Sequence, residues 1–119
     1  MGGVQQFTGI IAWQRGHELV LKVYSITRQF PKEERYRLVD QLCRAAISFP
    51  ANIAEGFKRK TRDDKLRFYN FSLASLEETK YYFLLAKDLR YISEEEFENI
   101  FKFAEECGRL LHGWIQIQH

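Results

Sequence analysis

Proline and cysteine are scarce in this chain, with two of each in 119 residues, and methionine occurs once. Few prolines leave long helices uninterrupted. Two isolated cysteines, Cys43 and Cys107, form no Cys-x-x-Cys metal or redox pair and nothing requires a disulfide between them, so they read as two reduced, mostly buried thiols. No apolar run approaches the roughly 20 residues of a membrane span. The opening Met-Gly-Gly-Val-Gln-Gln-Phe lacks the basic and apolar blocks of a secretory signal. Gln6 stands where an N-myristoylation motif needs Ser or Thr. The expectation is a cytoplasmic protein without membrane contact. Charge of one sign is also missing: 18 Lys and Arg against 16 Asp and Glu leave a net +2, so a nucleic-acid role must rest on local clustering.

The signatures of common catalytic chemistry are absent too. A dinuclear metal bundle needs Glu-x-x-His pairs, but Gln14, Arg109 and Gln116 precede His17, His112 and His119 by three. His17-Glu18 opens like a zinc protease motif, yet Leu21 occupies the place of the second histidine. There is no Gly-rich phosphate loop and no Gly-x-Ser-x-Gly elbow. No catalytic residue, metal ligand or cofactor site is assigned, and the protein is expected not to be an enzyme.

What is present is helical periodicity without strand-like alternation, over a composition 45% hydrophobic and 29% charged that suits a single domain over 1–119. Ala12, Gly16, Leu19, Val23 and Ile26 predict a first helix over 11–28, ended by Phe30-Pro31. Residues 1–10 read as a flexible tail. A second helix is predicted over 32–57, with Glu33 and Glu34 in its first turn and Gly56 near its stop. Thr61 caps a third helix that reaches Arg90, and Ser93 with Glu96 forms a capping box for a fourth that runs to Ile117. Four long helices with short connections imply an all-α, antiparallel up-down-up-down four-helix bundle. Its basic end holds 58–67, and its other end carries a run of glutamates.

The second helix contains Gln41-Leu-Cys-Arg-Ala-Ala-Ile-Ser-Phe-Pro-Ala-Asn-Ile-Ala-Glu-Gly-Phe57, in which Val39, Leu42, Ala46, Phe49, Ile53 and Phe57 recur at steps of three or four through Pro50. A bend near Ala46 is expected, because proline offers that carbonyl no N–H. Together with Ala12-Trp13-Gln14, Phe30-Pro31-Lys32-Glu33-Glu34 and Ser75-Leu76-Glu77-Glu78, this run resembles the four-helix bundle family of 23S ribosomal RNA intervening-sequence proteins. Cys43, Phe49 and Ala74 depart from the family's usual residues. That family in turn is similar to accessory proteins of diversity-generating retroelements. The resemblance implies a pentameric ring of bundles that meets nucleic acid and a protein partner such as a reverse transcriptase.

Four groups of residues stand out as candidates. Lys58, Arg59, Lys60, Arg62, Lys65 and Arg67 cluster at a helix junction, where they suit phosphates of RNA or single-stranded DNA. Trp13 and Trp114 fall near the same end and either close the bundle or stack on bases. Asn52 and Glu55, three apart beside Pro50, read as a structural polar pair. The third helix is apolar on two arcs, one with Tyr69, Leu73, Leu76 and Phe83, the other with Phe68, Phe71, Tyr82 and Leu89. One bundle core needs only one arc, so Phe68, Phe71, Ser75 and Tyr82 are assigned to a homo-oligomer interface. The expected function is a non-enzymatic oligomeric bundle that binds RNA or DNA at its basic ends. The alternative is a protein-interaction scaffold that does not touch nucleic acid.

Overall fold

The computed structural model describes residues 3–117, so His119 lies outside the described residues. Four helices, α1 (Ile11–Thr27), α2 (Leu38–Lys58), α3 (Arg62–Asp88) and α4 (Glu94–Ile117), form a four-helix bundle of 48 × 25 × 18 Å, with no strand among the described residues. Each helix packs on its two neighbours around the ring, and the diagonal pairs stand apart.

Local capping sets three of the helix ends. The Thr61 hydroxyl accepts the Asp64 N–H at 3.1 Å. Ser93 and Glu96 satisfy each other's N–H groups at 3.0 Å in a reciprocal box. α3 closes with Arg90 at φ 66°, while the Tyr91 N–H bonds the Ala86 carbonyl and the Arg90 N–H bonds that of Lys87. That Schellman arrangement usually takes glycine, and arginine holds it at a steric cost.

The expected start of the second helix is wrong by six residues. Lys32–Glu34 form a separate 3-10 turn, and Arg37 at φ −122°, ψ −102° breaks the backbone before α2 begins at Leu38. A distant bond explains the break. One Glu34 carboxylate oxygen accepts the Leu38 N–H at 3.3 Å and the other accepts the Tyr91 hydroxyl at 2.7 Å, tying the start of α2 to the α3–α4 connection. From there α2 continues through a buried Pro50 to Lys58.

The described part of the expected tail packs against the bundle. Phe7–Gly9 make a 3-10 turn, Ile10 is fully buried, Val4 and Phe7 pack on the core, and the Gln14 side chain donates to the Thr8 carbonyl at 2.8 Å. Three apolar side chains in seven residues give the segment a face to bury.

In the core, large groups sit against glycine. A Cβ on Gly16 of α1 would lie 2.6 Å from the Phe49 ring, so the large residue of α2 is accommodated by the absence of one on α1. Gly56 has an ordinary negative φ and sits inside α2; a Cβ there would come within 2.7 Å of the Tyr69 ring. Its role is close approach, where a helix stop was expected. Two small polar contacts cross from α3 to α2: the Ser72 hydroxyl donates to the Phe49 carbonyl at 2.7 Å and Ser75 donates to the Ser48 hydroxyl at 2.8 Å, while the buried Thr79 hydroxyl is satisfied within α3 by the Ser75 carbonyl at 2.9 Å.

Arg90→Gly should raise stability by about 0.5–1 kcal/mol in urea melts, because glycine accepts positive φ without the cost of about 1–2 kcal/mol that a Cβ brings there, offset in part by a freer unfolded chain. An unchanged or lowered midpoint would mean that the arginine side chain makes a compensating contact.

The Tyr91 hydroxyl, and then the Leu38 N–H, hold the Glu34 carboxyl below its usual range; the Ser93 N–H does the same for Glu96. A lowered folded pKa contributes stability above the unfolded value that is lost as pH falls through the folded one. Stability should therefore decline between about pH 6 and pH 3, and Tyr91→Phe should decline less over that range because Glu34 then titrates nearer its ordinary value. Parallel pH profiles for the two proteins would show that the bond contributes nothing.

Candidate nucleic-acid interface

Residues 59–61 join α2 to α3, and the six cations predicted for this junction divide into two sets. Lys65 turns back and donates to the Phe57 carbonyl at 2.7 Å, capping the last turn of α2. Arg59 pairs with Glu55 at 2.7 Å and approaches Asp64 at 3.8 Å, while Arg67 pairs with Asp64 at 3.2 Å. Both guanidiniums lie over the Phe68 ring, at 4.4 and 4.9 Å from its centre. Lys58, Lys60 and Arg62 are exposed and make no ion pair among the described residues. Three of the six thus serve the fold, and three project free charge.

The tryptophans lie beside this junction and close the end of the bundle. Trp114 donates to the buried Tyr69 hydroxyl at 3.1 Å and packs near Phe57. Trp13 meets the edge of Phe7 and stacks on His17, with ring centres 5.2 Å apart and planes within 3°.

Asn52 and Glu55 do not act as a pair within the subunit. The Asn52 amide donates to the Ser48 carbonyl at 2.9 Å and to its hydroxyl at 2.8 Å, joining the α2–α3 contact. Glu55 is exposed and engages Arg59. Three helical positions rotate a side chain by about 60°, enough to carry Glu55 out of that contact.

Of the four residues assigned to an oligomer interface, Ser75 is buried and bonded to Ser48, so it belongs to the subunit's own packing. Phe68 is half-buried beneath two arginines, and Tyr82 is half-buried against the core. Phe71 remains 44% exposed, and α3 also exposes Tyr81 and Leu84, with Leu89 exposed at its C-terminal cap. Tyr81, at 56% exposure, was not singled out from sequence, and at about 100° per residue it falls about 80° from Phe71 and Leu89, outside either arc.

The other end is not simply acidic. Arg28, Lys32, Arg35 and Arg37 accompany Glu33 and Glu34 at the α1–α2 connection, and the glutamate run of Glu94, Glu95 and Glu96 belongs to the α3–α4 side. Burial pushes the Cys107 thiol up to about 12 and raises that of the half-buried Cys43; both cysteines are free. No helix among the described residues is long and apolar enough to cross a membrane.

Fold and site together define a small helical bundle with a cationic inter-helix turn. The chain belongs to the 23S rRNA-intervening sequence protein family, whose model matches residues 8–113. Its fold is similar to that of a crystal structure of a protein of unknown function from the S23 ribosomal protein family of Bacteroides thetaiotaomicron. That likeness has a TM-score of 0.81 and 24% identity, over 89% of this chain and 96% of the other. No protein with a curated description matches the chain.

Lys65→Met should cost about 1 kcal/mol in denaturant melts, since it removes a charged donor from the α2 terminus. Lys58→Gln and Lys60→Gln should stay within about 0.5 kcal/mol of wild type, as exposed side chains do. Equal loss in all three would erase the division between structural and free cations.

Proposed function

We propose that this protein is a non-enzymatic homo-oligomer that binds RNA or single-stranded DNA through its basic ends. The observation that carries the reading is the set of three unpaired, exposed cations, Lys58, Lys60 and Arg62, on and beside the short α2–α3 turn, which is braced by Lys65, Arg59 and Arg67. Cations left free by the fold can release the counterions of a phosphate backbone, a gain that does not depend on base sequence. Assembly is supported by the exposed Phe71 and Tyr81 of α3 and Leu89 at its C-terminal cap, and copies of one modest cationic turn would add through avidity. The resemblance to pentameric accessory bundles favours five subunits and a reverse transcriptase-like partner. The same exposed aromatics favour the second reading, a scaffold that meets a protein partner alone.

Light scattering coupled to gel filtration should give the mass of about five subunits at micromolar concentration; a monomer would refute assembly, and another closed number would refute only the pentamer. Replacing Lys58, Lys60 and Arg62 together with glutamine should weaken single-stranded RNA binding and flatten the log-affinity against log-salt slope by about 2, from roughly 0.7 per phosphate contact. Helical content should not change. Absence of binding by wild type at low salt would sink the nucleic-acid reading in favour of the scaffold.

A further inference from the structure

The α1–α2 connection encloses a cleft of about 780 Å³ between the last turns of α1 and the first turns of α2. Arg28, Lys32 and Arg35 line it together with Tyr24 and Tyr36, and no acidic side chain does. None of these three cations makes an ion pair among the described residues. The nearby carboxylate of Glu34 is already taken by Tyr91 and the Leu38 N–H.

Tyr36 is the most exposed large hydrophobic residue among the described residues, at 84%, and Tyr24 is 46% exposed. Leaving a tyrosine ring in water forfeits much of the burial that an aromatic of about 150–250 Å² offers. Nothing within the subunit uses that ring except the Arg35 guanidinium, 5.8 Å from its centre. The backbone beneath it is nevertheless fixed. The Arg35 N–H bonds the Lys32 carbonyl at 3.1 Å, the Arg37 N–H bonds that of Glu34 at 3.0 Å, and the Gln41 N–H bonds that of Arg37 at 3.0 Å. A firmly held turn therefore presents an open aromatic face amid uncompensated positive charge.

We propose that this cleft is a binding site for single-stranded nucleic acid, in which Tyr36 and Tyr24 stack on unpaired bases while Arg28, Lys32 and Arg35 hold the flanking phosphates. The chemistry selects among anions. An acidic peptide would satisfy the cations but leave both ring faces idle, and a duplex keeps its bases stacked on one another, whereas an unpaired strand supplies rings and phosphates in alternation. The site rests on the nucleic-acid reading above and extends it to the end opposite Lys58, Lys60 and Arg62.

Fluorescence anisotropy with a dye-labelled oligoadenylate at low salt tests the site, with an abasic strand of equal length as the probe of backbone contact alone. Tyr36→Ala and Tyr24→Ala should each weaken oligoadenylate binding by about 5- to 100-fold with the salt slope unchanged, and Tyr36→Phe should bind as wild type does. The abasic strand should bind wild type no better than oligoadenylate binds the double alanine variant. If the alanine variants bind like wild type while Lys58/Lys60/Arg62→Gln does not, the cleft is refuted and the basic turn stands. If wild type binds neither strand, both fall. A change of oligomeric mass in Tyr36→Ala would assign the cleft to a second copy of this chain. Equal displacement of the oligonucleotide by polyglutamate would show that the cleft reads charge without bases. Either result overturns the proposal.

Discussion

The middle of the contact between α2 and α3 is made by small polar side chains, and the rest of the bundle is arranged around that closeness. Ser72 and Ser75 of α3 donate to the Phe49 carbonyl and the Ser48 hydroxyl of α2, while Asn52 and Thr79 bond within their own helices, so the approach does not strand buried polar groups. Bulk must then be supplied elsewhere. Phe49 turns its ring toward Gly16 of α1, and Tyr69 fills the space beside Gly56 and receives the Trp114 N–H from α4. Large-against-small pairing thus carries the geometry of one polar contact to both remaining helices.

This contact also shows what the sequence could and could not convey. Both arcs of α3 were legible from the period of 3.6, but the period does not say which neighbour each arc meets. Ser75 lay beside the arc given to another subunit, and it turned inward because Ser48 on α2 supplies a hydroxyl at the same height. Thr61 and the Ser93–Glu96 box were readable because their bonds close within three residues. The start of α2 was not, because the carboxylate that sets it is held by a tyrosine 57 positions away. Gly56 was visible as a glycine, but its reason, the Tyr69 ring, comes from another helix.

Charge behaves in the same way. Density of Lys and Arg near residue 60 was plain in the sequence, yet density does not separate a cation that braces a turn from one that faces solvent. Phe68 makes the distinction concrete: read as an interface residue, it serves instead as the surface on which Arg59 and Arg67 lie, with their charge partly answered by Glu55 and Asp64. Such pairs are individually weak at exposed sites, so their consequence is positional. They hold two guanidiniums close to the bundle, while Lys58 and Lys60 stay exposed and unpaired among the described residues.

Connection length then differentiates the ends of the molecule. Between α2 and α3 only residues 59–61 intervene, a span too short to enclose a cleft of its own; Arg59 and Thr61 turn back onto the helices, and Lys60 is left exposed. Between α1 and α2 the chain spends residues 28–37, enough for a 3-10 turn and a backbone break at Arg37, and a segment of that length can enclose a cleft. The break follows from the Glu34 carboxylate, which is tied to Leu38 and Tyr91 and so stops α2 from extending back to Pro31. Had the helix run on from residue 32, Arg35 and Tyr36 would have joined a regular helical surface. The bond that defeats the local helix signal is therefore also what sets an arginine and a tyrosine at the mouth of the cleft.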